Sequence, residues 1–415
     1  MMGYNNKKLP RGERGLGQLS YVIIGNGIAG LSAAETIRKR DENADITIVT
    51  NEEYLTYYRV KLSHYISKTF DDEEFVVHNE KWYQDKRIKV LLKTIVEGLD
   101  VENNAITLDN GKKLTYDKLL IANGSRPFIP PVQGKYKKGV FALRSLNDLK
   151  YAKNYLSYCK DITVIGGGLL GLEAAWSIKE LGKNVNVVEF FPYLLPRQLD
   201  EELSKVFTNK LEERGLRLHL GAAVEEILGN TVVEGIKMKD NNEFKTDGVL
   251  FSAGIRPNLD LVRNTNIKYD KGILVDDGMR TNIDHIFAAG DVAEVNGVVL
   301  GLWPVAVEQG KIAGENMVGG EKVYKLPQSH TFTNIGDLSV FSAGNIQDFD
   351  KTLMEEENQQ EKIYKLYIKE NQLTAGALIG DTSKMLKVKK AVNNRTDISH
   401  QLNKKMACKE IIESL

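Results

Sequence analysis

The chain has 415 residues, too many for one ordinary core, so two or three domains are expected. Its 42% hydrophobic and 27% charged residues read as globular, and Lys+Arg balances Asp+Glu at 56 each, so no net field draws it to nucleic acid. The longest apolar runs, such as 162–172, are broken by glycine and fall far short of the ~20 residues that cross a bilayer, so no membrane role is expected.

Residues 1–19 are basic and carry Pro10, Gly12, Gly15 and Gly17 without an apolar core, which reads as a flexible leader rather than a secretory signal. Tyr21–Ile24 is a short apolar strand running into Gly25-Asn26-Gly27-Ile28-Ala29-Gly30, then a helix through Arg40, then a strand Ile46–Val49. The stretch Leu91–Leu114 reads as a β-meander. A second strand, Ile162–Ile165, meets Gly166-Gly167-Gly168-Leu169-Leu170-Gly171, a helix to about Leu181, and a strand Val185–Val188 ending in Glu189. Strands near Leu338–Phe341, Tyr364–Ile368 and Ala375–Ile379, with a helix after Ser383, close the chain as a small α+β domain.

Strand, G-x-G-x-x-G, helix and strand together make a usable dinucleotide-binding signal. The first glycine allows the tight turn, the second lets backbone approach pyrophosphate, and the third lets helix and strand pack closely. The helix N-terminus then offers N–H groups and a positive dipole end to phosphate. Two such units imply two dinucleotide sites. In the second, Glu189 lies 23 residues after Gly166, where an acid accepts both ribose hydroxyls and repels a 2′-phosphate, which favours NADH. In the first, the matching position is Thr50, and Glu52 is assigned to the adenosine ribose.

The only cysteines, Cys159 and Cys408, exclude a disulfide framework and favour a reducing, cytoplasmic location. The six histidines lack metal-ligand spacing, so no metal site is expected.

Further blocks narrow the reading: Tyr57-Tyr58-Arg59-Val60-Lys61-Leu62-Ser63, 119–127 (LLIANGSRP), 253–258 (AGIRPN), 286–292 (IFAAGDV) and 309–314 (QGKIAG). With the two units, they resemble the FAD-dependent pyridine-nucleotide oxidoreductases over about residues 20–415. The Tyr-Tyr-Arg block and Gly380-Asp381-Thr382-Ser383-Lys384 are most similar to clostridial-type NADH:rubredoxin oxidoreductases, relatives of the flavin part of assimilatory nitrite reductase.

The resemblance implies an α/β fold with two Rossmann-like domains, one for FAD and one for NAD, plus the α+β C-terminal domain. The FAD domain would be discontinuous, 20–144 and 256–325, with the NAD domain at 145–255 and the last domain at 326–415. FAD would rest on Gly25, Gly27, Ile28, Ala29 and Gly30, with Arg59 on its phosphate and Val96 at the adenine. Ala122, Gly124, Ser125 and Arg126 would lie along it, and Asp291, following a strand and opening a helix, would bind the ribityl chain beside Val292. NAD would take Gly166, Gly168, Leu169, Leu170, Gly171, Glu189 and Gly254. Glu173 matches the acid beside flavin and nicotinamide. Its usual lysine partner is His64 here, which leaves Lys61, three residues earlier, as the second catalytic candidate.

The family's thiol-dependent members need cysteine beside the flavin or within 57–63, and this chain has none there. Electrons from NADH are therefore expected to leave for an outside carrier, rubredoxin or a similar small iron protein. Ferredoxin, a nitrite-reductase module, oxygen, or a low-turnover sensing role are the alternatives. Lys384, Lys387, Lys389, Lys390 and Arg395 are a candidate docking face, and a monomer or weak homo-oligomer is expected.

Overall fold

Apolar β-branched runs bounded by glycine build two parallel sheets in the computed structural model, which describes residues 18–326, 330–359 and 361–415. The leader expected over 1–19 lies, up to residue 17, outside the described residues. The chain forms two compact units. One comprises Met1–Tyr58, Asp71–Arg126 and Ile255–Lys325, and the other Arg59–Phe70, Pro127–Gly254 and Leu326–Leu415.

In the first unit, Ser20–Ile24 sits at the centre of a five-stranded parallel sheet in the order Ile286–Ala288, Lys118–Ile121, Ser20–Ile24, Asp45–Val49, Ile88–Leu91. Every residue of Ser20–Ile24 is buried, as expected for a strand covered on both faces. The helix Ile28–Arg40 packs against Trp303–Met317. A Cβ on Gly310 would stand 2.3 Å from the Ala29 carbonyl oxygen, so this crossing needs glycine in the 309–314 block. At the helix end the buried Arg38 guanidinium donates to the carbonyls of Asp41, Glu42, Ala44, Lys86 and Arg87, pinning the turn to the next strand. The expected meander is the antiparallel set Val96–Asp100, Ala105–Leu108 and Lys113–Thr115.

The expectation that Asp291 opens a helix is not met. After the turn at Gly290 the chain enters the strand Ala293–Val295, parallel to Ile273–Val275, and the helix begins only at Trp303. The reason is long-range: the buried Glu294 carboxylate accepts from Gly272 N at 2.9 Å and ties the segment into that strand pair.

In the second unit the parallel sheet runs Arg217–His219, Asn184–Val188, Asp161–Ile165, Gly248–Phe251, Val140–Ala142. Leu169–Glu180 follows its central strand, and a second antiparallel meander, Val224–Leu228, Gly235–Met238 and Glu243–Lys245, adds to it. Helix Leu146–Leu156 starts in a Ser145/Asp148 capping box, and Glu201–Glu213 starts under the Asp200 carboxylate.

The C-terminal part is a five-stranded antiparallel sheet in the order His330–Ile335, Leu338–Gly344, Gln372–Ile379, Lys362–Lys369, Lys351–Glu357. Met385–Asn393 and Cys408–Ser414 cover it with Val388, Val392, Ile411 and Ile412 in the core. Lys365 ties it to the preceding fold: its side chain is 3% exposed and lies between Asp200, at 2.6 Å, and Glu202. Among the described residues no helix is long and apolar enough to cross a membrane.

Candidate functional site

The first glycine loop leaves the sheet at Ile24. Gly25 has φ +108°, and a Cβ there would stand 2.2 Å from the Ala122 carbonyl oxygen, so only glycine lets the loop pass the neighbouring strand end. A Cβ on Gly30 would stand 2.1 Å from the Gly25 carbonyl oxygen, which is the close helix-to-loop packing the motif requires. Gly27 differs. It caps the helix with φ −79°, and a Cβ on it would meet nothing within 4 Å.

Space is therefore open over a helix end that has no side-chain cap and no acid in its first turn, in which Ile28 and Ala29 stand. Beside Gly27, Asn26 is buried. Its Oδ1 accepts from Thr56 at 2.8 Å while its Nδ2 has no partner among the described residues. An open helix N-terminus and an unanswered buried donor fit a pyrophosphate.

The other candidates of this unit have these places. Glu52 accepts from the Tyr57 hydroxyl at 2.7 Å. Val96 stands where the meander register shifts, between Val96 and Gly98. Ser125 Oγ donates to Asp291 Oδ2 at 2.8 Å, holding that carboxylate next to buried Val292. Asn123 and Asn258 each donate a side-chain amide to the other's carbonyl, at 3.0 and 2.8 Å, which explains an amide at residue 123. Gly124 turns the chain at φ +68° between buried Ala122 and buried Ser125. Arg126 is exposed and pairs with Asp260 at 3.0 Å.

The second loop repeats the first. A Cβ on Gly166 would stand 2.3 Å from the Ser252 carbonyl oxygen, and one on Gly171 2.0 Å from that of Gly166. Gly168 caps the helix, with nothing within 4 Å of an added Cβ and no acid in the first turn, where Leu169 and Leu170 stand. Glu189 is buried at the strand end. Its Oε2 accepts from Gly167 N at 2.6 Å and its Oε1 from Phe191 N at 2.8 Å. A carboxylate has about four lone-pair sites, so two stay available to ribose hydroxyls. Gly254 has φ +98°, and its carbonyl accepts from Phe128 N.

Glu173, on the helix Leu169–Glu180, is 9% exposed, and both of its oxygens are hydrogen-bonded: Ser63 Oγ donates at 2.8 Å and Thr333 Oγ1 at 2.5 Å. His64 Nε2 lies 3.6 Å away. Lys61 ends the one-turn helix Arg59–Lys61, where the Arg59 guanidinium donates to the Arg144 carbonyl at 2.9 Å. Sequence reasoning passed over Asn26, Ser63 and Thr333. Asn26 and Ser63 lie inside blocks already quoted, whereas nothing near Thr333 marks it.

Both cysteines are buried, and burial pushes the thiols up, Cys159 to about 11 and Cys408 to about 12. The C-terminal cations are partly engaged: Lys387 Nζ donates to the Glu413 carbonyl, Lys389 lies 2.9 Å from His330 Nε2, and Arg395 lies 3.5 Å from Asp348. Among the described residues no group of three or more His, Cys, Asp or Glu is placed to hold a metal.

Residues 19–310 match the pyridine nucleotide-disulphide oxidoreductase family, and residues 331–396 match the rubredoxin NAD+ reductase C-terminal domain. The nitrite reductase [NAD(P)H] of Bacillus subtilis strain 168 is 36% identical over 393 residues, covering 92% of this chain, and the chain spans 48% of that relative. The NADH-rubredoxin oxidoreductase of Clostridium acetobutylicum is 32% identical, with 90% of this chain and 94% of that protein covered. A crystal structure under the name NADH:rubredoxin oxidoreductase from that species superposes with a TM-score of 0.78 at 30% identity, over 96% of this chain and 100% of the other. The chain thus belongs to the pyridine nucleotide-disulphide oxidoreductase family and is an FAD- and NAD(H)-binding flavoprotein.

Proposed function

We propose that the protein takes hydride from NADH and passes the electrons to a small iron-containing carrier, with rubredoxin the first candidate. Bound FAD supplies the chemistry that links a two-electron donor to a one-electron acceptor. This chain's residues supply binding and orientation. The helix ends above Gly27 and Gly168 receive the two pyrophosphates, with Arg59 as a further phosphate-seeking cation and Arg126 lying along the flavin nucleotide. Asp291, aimed by Ser125, anchors the ribityl chain, and Val96 offers backbone groups to the adenine. Glu52 and Glu189 hold riboses, the latter selecting NADH over NADPH. Glu173 orders the nicotinamide end of the second site, and Lys61 is kept as its second catalytic candidate.

The observation that carries this reading is the state of the thiols. Both are buried and held far from ionisation, and the stretch 57–63 contains none, so the relay from which the family takes its name has no nucleophile here. Electrons then leave without protein sulfur. Likeness over nine-tenths of the chain to an NADH-rubredoxin oxidoreductase supports rubredoxin as the acceptor. The half-length match to a nitrite reductase supports a second reading, in which the acceptor is a nitrite-reducing module. We place the protein in the cytoplasm, as a monomer or weak homo-oligomer.

An anaerobic turnover screen decides between acceptors. Rubredoxin should give a kcat/KM at least about tenfold above ferredoxin, flavodoxin or a nitrite-reducing module. A preference for any of these, or NADH-driven oxygen uptake that matches the rubredoxin rate, overturns the assignment.

A further inference from the structure

The carboxylate of Glu173 is held by side chains from two distant stretches of the second unit. Ser63 reaches Oε2 from the one-turn helix Ser63–Tyr65, and Thr333 reaches Oε1 from the edge strand His330–Ile335. Thr333 is itself buried. Just beyond it, a Cβ on Gly336 would stand 2.2 Å from the ring of Trp176, which lies three residues after Glu173 on the same helix. Strand and helix are therefore seated against each other without slack, and the aim of the Thr333 hydroxyl follows from that seating.

A carboxylate this buried needs partners, because an unanswered charge away from water is costly. An ammonium would answer by cancelling the charge. Two hydroxyls answer differently: each donates a hydrogen bond to the ionised form and stabilises it, but the negative charge stays in the site.

We propose that Thr333 is a positioning residue for the nicotinamide site, holding Glu173 with Ser63 as an oriented anion, so that the C-terminal domain completes that site. This rests on the reading of Glu173 as the acid that orders the nicotinamide. The ionisable groups on the elements around Glu173 are Arg59, Lys61, His64 and Tyr65, Lys179 and Glu180 on its own helix, Asp161 on the strand Asp161–Ile165, and His330 on the edge strand. Glu180 is engaged by Ser67 and Trp176, and His330 by Lys389. His64 Nε2 lies 3.6 Å from the Glu173 carboxylate, and His64→Asn serves as the control background.

Thr333→Val removes the hydroxyl at nearly constant volume, and Thr333→Ser keeps it. In the flavin-loaded protein, two readouts are followed: the frequency of the infrared carboxylate band that Glu173→Gln abolishes, and the rate of NADH-driven flavin bleaching. Losing one charge-assisted hydrogen bond in Thr333→Val should shift that frequency and slow bleaching by about tenfold. Both changes should appear with or without His64→Asn. Thr333→Ser should restore both. If Thr333→Val does not fold, Ser63→Ala tests the other oxygen with the same expected direction.

A Thr333→Val protein that folds with an unshifted band overturns the proposal, and so does a shifted band with bleaching as fast as wild type. The acceptor assignment is independent of these outcomes. If both readouts change while rubredoxin goes unreduced, the acceptor reading fails and the role of Thr333 stands.

Discussion

Replacing Gly25 and Gly27 by alanine one at a time should separate the two jobs of the first loop. At Gly25 the new Cβ would stand 2.2 Å from the Ala122 oxygen and 2.6 Å from its carbon, both backbone atoms, at φ +108°. Backbone strain of about 1–3 kcal/mol and overpacking of about 1–3 kcal/mol come to roughly 2–6 kcal/mol. That is a large part of the ~5–15 kcal/mol that holds a domain folded. At Gly27 the Cβ meets nothing within 4 Å and φ is −79°, so neither penalty applies. About 0.5–1 kcal/mol lost at the cap, where glycine outranks alanine, is offset by about 0.4–1 kcal/mol from a stiffer unfolded chain.

The Gly27→Ala apoprotein should therefore melt within about 2 °C of wild type. Its flavin should nevertheless be lost, because the methyl occupies space that pyrophosphate would use. A clash of about 1–3 kcal/mol weakens retention roughly 5- to 150-fold. The assay is a circular-dichroism melt of apoprotein beside the flavin-to-protein absorbance ratio after desalting. Gly168→Ala is the matched experiment for the second loop: flavin stays and the KM for NADH rises. A Gly27→Ala protein with undiminished flavin would refute the reasoning, since the open space would then have no ligand in it.

Four further perturbations test other parts of the sites. Asp291→Ala removes the acceptor of the Ser125 hydroxyl and should give paler, less stable protein, and an unchanged absorbance ratio would take Asp291 out of the flavin site. Glu189→Ser should narrow the preference for NADH over NADPH in kcat/KM and also lower the melting temperature, because the backbone N–H groups of Gly167 and Phe191 lose their acceptor. Equal use of both cofactors by wild type would make Glu189 purely structural. With thiols pushed up to about 11 and about 12, only on the order of a thousandth of Cys159 is thiolate at pH 8, so a disulfide reagent should react slowly with folded protein. Cys159→Ser with Cys408→Ser should then keep turnover, and a collapse with intact flavin would revive a thiol relay. Burial holds His219 and His285 below the ordinary 6.5, so the unfolded chain binds more protons than the folded one in that window. Their contribution is present above pH 6.5 and is lost as pH falls toward the folded values. The double variant to glutamine should lose less stability than wild type between pH 7.5 and pH 5.5, and equal losses would assign the acid sensitivity to other groups.

What the sequence made legible was local. Each glycine loop is six consecutive residues flanked by its own strand and helix, and the strand read as Tyr21–Ile24 is Ser20–Ile24 in the structure. The two C-terminal strands that went unread, His330–Ile335 and Lys351–Glu357, are the two edges of their sheet. Edge strands mix polar and apolar residues because one side lacks a neighbour, so they carry neither a buried run nor a strict alternation. Thr333 lies on one of these edges, 160 residues from Glu173, and no local pattern announces such a pair. Asp291 misled for a related reason. A strand followed by glycine and an acid reads as a helix start, and what makes the next segment a strand is Glu294 reaching back to Gly272.

The two nucleotide folds also carry the mark of a duplication. Gly25 N donates to Val49 O and Gly166 N to Val188 O, each at 2.8 Å, while Ala122 N donates to Ile24 O and Ser252 N to Ile165 O, again each at 2.8 Å. Each fold then inserts a three-stranded meander before the strand that returns to its centre, and each leaves that strand toward an Arg-Pro pair, Arg126-Pro127 in one and Arg256-Pro257 in the other. One ancestral cradle copied and inserted into itself accounts for this correspondence. The places where the copies part then gain meaning: Asn26 stands where the other copy has Gly167, and Thr50 where it has Glu189. On the assignment proposed above, those few positions are where one copy would be committed to a flavin nucleotide and the other to a nicotinamide nucleotide.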